Sequence, residues 1–150
     1  MAYSEHVLEH FVNPRNVGAL PDANGVAVEG NPACGDSIRV AVRVEHGRLA
    51  EVRFLVKGCP SAVAVGSYLC SLVEGGTLEE AWRVEEAEVA RALDLSPEKR
   101  HCSVVGVAAL RGAMLDYRRR LRRGDDGGWQ RSWYAPGKRP IRREPEWPDE

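Results

Sequence analysis

Five side chains in this sequence are of the types that hold soft metal ions or move protons. They are Cys34 and Asp36 in Pro32-Ala33-Cys34-Gly35-Asp36, Cys59 in Gly58-Cys59-Pro60, and His101 and Cys102 in Arg100-His101-Cys102-Ser103. Thiolates are the ligands of zinc sites and of iron–sulfur clusters. Three cysteines with either Asp36 or His101 complete a four-coordinate site. A stable electron-transfer cluster usually has four cysteines, and a hard carboxylate matches an iron–sulfur unit less well. A mixed set should hold its cargo loosely and leave it open to attack. Lability is a defect in a redox carrier and a requirement in a scaffold. Spacing alone leaves a second reading open, that of scattered buried thiols. No C-x-x-C pair is present, which argues against a zinc ribbon and against thioredoxin-like chemistry.

These residues meet only if the fold brings three loops together. Val26 and Val28 alternate with Ala27 and Glu29 as in a short strand, which Asn31-Pro32 stops. The Cys34 loop follows. Ile38, Val40, Val42 and Val44 alternate with Arg39, Ala41 and Arg43 as in a half-buried strand. Glu45-His46-Gly47-Arg48 suits a hairpin loop, with His46 a solvated turn residue. The return strand places Val52, Phe54 and Val56 on one face. The pattern predicts a small antiparallel sheet with one wet face. Pro60 suits a first helical position and leaves Cys59 near the N-cap of an apolar helix running to Val73. Cys70 inside it reads as a small buried hydrophobe. Thr77-Leu78-Glu79-Glu80 is a capping box opening a short helix through Trp82, and Glu85–Leu93 forms another. From Ser103, Val107, Leu110, Met114, Tyr117 and Leu121 predict a long amphipathic helix. Cys59 and Cys102 therefore sit at helix starts, where the positive end of the helix favours thiolate over thiol. Gly35 and Gly58 beside the ligands permit close approach and unusual backbone angles.

Three other features carry their own readings. Ser4 caps a helix ending at Asn13-Pro14, with Val7, Leu8 and Phe11 at helical spacing. It contains His6-Val7-Leu8-Glu9-His10, the H-x-x-E-H pattern of one metallopeptidase class, with Glu9 as base. So short a pattern, with no obvious third ligand, reads better as a solvated helix face. The run Arg118-Arg119-Arg120-Leu121-Arg122-Arg123 is either a helix end that complements the dipole or a docking surface for an acidic partner. Residues 124–150 are rich in Gly, Pro and charge and read as an extension beyond a domain spanning 1–123. Trp129, Trp133 and Trp147 lie there, so part of it is expected to pack on the domain or on a partner.

Bulk properties narrow the class. The chain has 150 residues, 43% of them hydrophobic and 29% charged, and a net charge of -1. That length suits one domain whose core needs no disulfide staples. The charge balance argues against a nucleic-acid binder. No apolar run approaches a membrane span and no secretory signal is visible, so a cytoplasmic protein with free, ligating or reactive cysteines is expected.

Met1-Ala2-Tyr3-Ser4-Glu5, Asn13-Pro14-Arg15-Asn16-Val17-Gly18, Ala33-Cys34-Gly35-Asp36, Gly58-Cys59 and His101-Cys102-Ser103 follow one another as in the IscU / NifU N-terminal family. The chain resembles that family over about residues 1–122. The resemblance implies an α+β fold, a small three-stranded antiparallel sheet packed against several helices with a long C-terminal helix. It implies a scaffold and carrier, not an enzyme. Such a protein takes persulfide sulfur from a cysteine desulfurase, takes iron, assembles a [2Fe–2S] cluster and passes it to apo-proteins, with a ferredoxin as a candidate electron donor. Cys34, Cys59 and Cys102 would be ligands, Asp36 the residue associated with release, and His101 an additional or alternate ligand. Cys102, beside His101 and Arg100, is the candidate persulfide acceptor. Family members often bind zinc at the same site. The family's chaperone-binding Leu-Pro-Pro-Val-Lys is here Leu95-Ser96-Pro97-Glu98-Lys99, which argues against handover through a dedicated chaperone. Self-association into a homo-oligomer stays open. The alternative is a zinc-dependent sulfur-transfer protein of the SufU type, although His101 and the lack of an insertion before it favour IscU.

Overall fold

A computed structural model of the chain describes residues 3–31 and 35–122. Its elements are α1 (Glu5–Val12), β1 (Gly25–Asn31), β2 (Asp36–Glu45), β3 (Arg48–Lys57), α2 (Pro60–Val73), α3 (Leu78–Trp82), α4 (Glu86–Ala92), a 3₁₀ turn (Pro97–Lys99) and α5 (His101–Arg122). The strands form one antiparallel sheet in the order β1-β2-β3. The α+β architecture expected from the sequence is the one observed. Cys34 and the extension 124–150, with its tryptophans, lie outside the described residues. Among those described, no helix is long and apolar enough to cross a membrane.

Alternation sets the register of the sheet. Val40 faces Phe54 and Val42 faces Val52 across β2 and β3. All four are at most 1% exposed, beneath α2 and α5. The hairpin closes on a two-residue loop in which His46 and Gly47 both have positive φ, at 54° and 75°. That geometry matches the twist of the strands. His46 is exposed, as its turn position predicts.

β1 is less regular than its valines suggest. It is Ala27 that pairs with Val40 on the helix side, while Val28 is 60% exposed. The reason is the closeness of α5. A Cβ on Gly112 would come within 2.8 Å of the Ala27 methyl, and one on Gly25 would overlap the Ala113 carbonyl. Only small residues fit that face of the strand. The free edge of β3 is covered by the segment after α1: Phe54 N–H donates to the Asn16 carbonyl (3.0 Å) and Gly18 N–H to the Phe54 carbonyl (2.9 Å). A turn-rich linker thus protects an edge that would otherwise be open to pairing.

α2 is apolar on nearly its whole circumference and is buried accordingly, although Leu72 stays 46% exposed. Cys70 is fully buried, and burial pushes its thiol up well beyond its ordinary range. α1 departs from expectation. Val7 alone reaches the core, and Leu8, Phe11 and Val12 remain 44%, 43% and 79% exposed. α4 ends with Asp94 at positive φ (50°), and Leu95 N–H donates to the Ala90 carbonyl at 2.9 Å. This left-handed helix stop, more often given to glycine, turns the chain towards the 3₁₀ turn. Arg111 on α5 holds the α3 exit, donating to the carbonyls of Trp82 and Val84.

Candidate metal centre

Four of the five candidate residues are described, and all four converge on one carboxylate. Asp36, 5% exposed, opens β2 and points its side chain beneath the sheet end. Its Oδ1 accepts the Cys59 backbone N–H at 3.0 Å. Its Oδ2 lies 3.6 Å from Cys59 Sγ, 3.7 Å from Cys102 Sγ and 3.3 Å from His101 Nε2. Cys102 Sγ is 3.6 Å from His101 Nε2. Donor atoms of Asp36, His101 and Cys102 all fall within 4.8 Å of one another, a grouping able to hold a metal ion.

Each element contributes through its end. Cys59 is the N-cap of α2 and makes no side-chain capping bond, so its thiol is free to turn to Asp36. Gly58 must be glycine for local reasons, because a Cβ there would overlap the Asp36 carboxylate. α5 begins at His101, two residues before the Ser103 start expected from periodicity, so His101 and Cys102 belong to its first turn. The His101 ring is fixed by Nδ1, 3.0 Å from the Glu98 carbonyl. A carbonyl only accepts, so Nδ1 carries the proton and Nε2 is aimed at Asp36. In neutral His101 that places a lone pair against the carboxylate and the Cys102 sulfur; with Nε2 protonated the ring donates to Asp36 Oδ2 instead. Carboxylate, thiol and imidazole ligand atoms gathered this closely are a donor set able to hold a cation. A hydrogen bond from the remote nitrogen to a carbonyl is also the usual way a ligating histidine is oriented.

The electrostatics follow from burial. Burial opposes ionisation of Asp36, but the Cys59 N–H and His101 outweigh it and hold the carboxyl below its usual range. Cys102 is 1% exposed. Burial first, then Cys59 and Asp36, push its thiol up beyond the ordinary cysteine range. This corrects the expectation that the helix start alone would keep it as thiolate: desolvation wins until a cation arrives. Cys59 is the more accessible of the two thiols. The sequence reading missed Lys99. Cys59 is the largest influence raising its pKa, through its charge and a contact with its side chain, and Cys102 adds to it. Its one sequence signal was a cation two residues before His101.

Other candidates resolve differently. His10 Nδ1 sits 2.7 Å from Ser67 Oγ, and Arg15 pairs with Glu9 at 2.5 Å. The Arg15 hydrogen bond holds Glu9 below its usual range, unlike a general base, and burial lowers His10. His6 is exposed and joins no metal-binding group among the described residues. The metallopeptidase reading is removed; this is a clamp between α1 and α2. In the basic run, Arg119 and Arg120 pair back to Asp116, whose Oδ2 accepts Val26 N–H at 2.9 Å. Asp116 ties α5 to β1, and the two arginines balance its charge from within α5.

The fold and site therefore define an α+β domain with a thiol, carboxylate and imidazole cluster able to hold a metal ion at one end of its sheet. The family model of the NifU-like N terminal domain matches residues 2–123, and the chain belongs to that family. It is 42% identical over 119 residues to the iron–sulfur cluster assembly scaffold protein IscU 1 of Archaeoglobus fulgidus, covering 79% of this chain and 78% of the relative. It is 41% identical over 122 residues to the IscU scaffold protein of Haemophilus influenzae, covering 79% and 97%. Among solved structures, the N-terminal part of a nitrogen-fixing NifU-like protein from Brucella abortus shares the fold, with a TM-score of 0.66 at 16% identity over 77% of this chain and 94% of that one.

Proposed function

We propose that this protein is a scaffold on which an iron–sulfur cluster, its cargo, is assembled and then released. The observation that carries the reading is the meeting of Cys59, His101 and Cys102 on Asp36 Oδ2. Cys34, two residues before Asp36 in the sequence, supplies the remaining thiolate. The cargo is a [2Fe–2S] cluster, and zinc occupies the same donors when iron is scarce. Family membership and the named relatives support this reading.

Sulfur arrives as the persulfide of a cysteine desulfurase. The Cys102 thiolate attacks the outer sulfur, a new S–S bond forms, and the donor's inner S–S bond breaks with its thiolate leaving. No net redox occurs in that step. Reduction of each sulfane sulfur to sulfide takes a further electron pair, so an electron donor of the ferredoxin class is a necessary partner. Apo-proteins receive the product. Because Cys102 is buried and its thiol pKa is raised, transfer requires its surroundings to open and the thiol to lose its proton first.

Anaerobic incubation with ferrous iron, cysteine and a desulfurase tests the proposal. The expected result is visible [2Fe–2S] absorption that moves to an apo-ferredoxin. Tightly held zinc with faster desulfurase turnover, and no cluster, would instead establish the sulfur-transfer alternative. Undiminished persulfide acceptance in Cys102→Ser would move the acceptor role to Cys59 or Cys34.

A further inference from the structure

The outer face of α3 and α4 carries charge that its neighbours do not balance. Glu79, Glu80, Glu85, Glu86 and Glu88 are all exposed. Glu80 and Glu88 spend their carboxylates on helix caps, and none of the five pairs with a cation among the described residues. Further along α4 the surface changes character. A cavity of about 350 Å³ is lined by Ala87, Ala90 and Leu95, with exposed Arg91, Asp94 and Arg100 completing its walls. Two cations against one carboxylate leave that apolar pit with a positive surround.

The same two characters follow one another, with opposite sign, in the chain beyond α5. Residues 123–150 lie outside the described residues, but their charges are sorted in the sequence. Lys138-Arg139-Pro140-Ile141-Arg142-Arg143 has four cations and no acid. Glu144-Pro145-Glu146-Trp147-Pro148-Asp149-Glu150 has four acids, no cation and one indole. The lengths agree as well. Arg111 of α5 meets the α3 exit, donating to the Trp82 carbonyl at 3.1 Å, and Arg122 lies about 16 Å further along the helix. The chain from Arg122 to Lys138 spans up to about 50 Å when extended, so α3 and α4 are within reach. From Arg143 to Trp147 it spans up to about 13 Å, and α4 is about 10 Å long. The basic run can therefore lie along the glutamates while Trp147 enters the cavity. Pro140, Pro145 and Pro148 restrict the backbone and reduce the entropy lost on docking. Tethering supplies an effective concentration on the order of millimolar, so weak contacts suffice.

We propose that residues 138–150 of this chain dock back on its own domain, the basic run against the α3–α4 glutamates and Trp147 in the cavity between α4 and Arg100. Docked so, the segment lies beside the residue that precedes His101. The inference does not depend on the function proposed above and is tested on metal-free protein.

The test is fluorine NMR of the full chain labelled with fluorotryptophan, each signal assigned by replacing the tryptophans in turn with phenylalanine. The Trp82 signal reports that the domain stays folded in every variant. The expected Trp147 signal is displaced from its position in the free peptide 138–150, shielded from a neutral gadolinium chelate, and unchanged on dilution. Glu79→Lys with Glu86→Lys should weaken docking about tenfold, through two lost attractions and two added repulsions. Arg142→Glu with Arg143→Glu in that background should recover part of it. Ala87→Phe, at an exposed position, should displace Trp147 by filling the cavity. A Trp147 signal at the free-peptide position, or one open to the chelate, would overturn the proposal. So would a shift lost on dilution, which assigns the face to a second copy of the chain. A shift indifferent both to the paired glutamate reversals and to Ala87→Phe would place the segment elsewhere and overturn it too.

Discussion

Gly58→Ala isolates the contact that places Asp36. The added methyl cannot coexist with the carboxylate in its present position. Asp36 must swing away and lose the Cys59 N–H bond at 3.0 Å. A hydrogen bond to a charged acceptor contributes about 1.5–3 kcal/mol. Displacing a packed group adds roughly 1–3 kcal/mol. The loop is exposed and yields in part, so the expected loss is about 2–4 kcal/mol. At roughly 3 °C per kcal/mol for a chain of this size, the metal-free protein should melt about 6–12 °C lower.

Gly35→Ala is the control. Gly35 also has positive φ (72°), but a Cβ there meets nothing within 4 Å. Its cost should be only the left-handed backbone strain of about 1–2 kcal/mol, with Asp36 undisturbed. The measurement is urea unfolding of both variants in the parent and in an Asp36→Ala background. If the methyl acts through Asp36, the Gly58→Ala penalty shrinks to the backbone strain of a positive-φ position, about 1–2 kcal/mol, once the carboxylate is gone, because contacting residues are not additive. A penalty that persists undiminished in Asp36→Ala, or a Gly58→Ala protein that melts with the parent, would refute this account.

Three further outcomes are expected. In a Cys34→Ser background without metal, iodoacetamide should label half-buried Cys59 first, Cys102 much more slowly, and Cys70 only on unfolding, as read by peptide mass mapping. Asp116→Ala should cost about 1–3 kcal/mol by orphaning the Val26 N–H. Burial opposes ionisation of Asp116, but the Val26 N–H, Arg119 and Arg120 outweigh it and hold its carboxyl below the usual range. Its contribution is therefore complete above the unfolded value of about 3.9 and is lost as pH falls through the lower folded value, so Asp116→Asn should flatten the acid limb of the stability curve. Asp94→Gly, at the left-handed stop of α4, should leave stability equal or higher, whereas Asp94→Ala should lower it by about 1 kcal/mol in thermal melts.

What the sequence revealed and what it hid follow from the range of the forces involved. Alternation over 38–44 and 52–56 fixes β2 and β3, because one face must meet the core at period two. Pro60 and the Thr77 capping box are local signals, and both helices start where those signals place them. The buried face of β1 was not legible, since it depends on how closely Gly112 of α5 approaches Ala27. The exposed apolar side of α1 was hidden for the same reason: helical spacing says that residues share a face, not that a partner covers it. At the site, residue types and order named the ligating atoms. The state of Cys102 was another matter. A helix start and a buried pocket act on a thiol in opposite directions, and only the fold shows that the pocket dominates. Lys99 has no motif of its own, and its place becomes visible only once the 3₁₀ turn is positioned.

The two rivals for the last coordination position are held from different sides. Asp36 is tethered through Oδ1 to the Cys59 N–H, so its carboxylate moves with β2 and the start of α2. His101 is tethered through Nδ1 to the Glu98 carbonyl, so its ring moves with the 3₁₀ turn and α5. Each tether leaves the atom facing the site, Oδ2 or Nε2, without giving up its anchoring bond. Either atom would be available to a cation held here, each backed by its own element. A small displacement of the 3₁₀ turn against the sheet end would favour one ligand over the other without unfolding either support. On the scaffold function proposed above, exchange of that kind would lower the barrier to releasing a cargo, because no thiolate would have to leave before a replacement ligand was in place. The Cys102 thiol adds a second bias in the same direction. Its burial, with Cys59 and Asp36 alongside, disfavours a bare thiolate, so on the same proposal the anion would be stabilised while cargo is bound and would take up a proton when cargo departs.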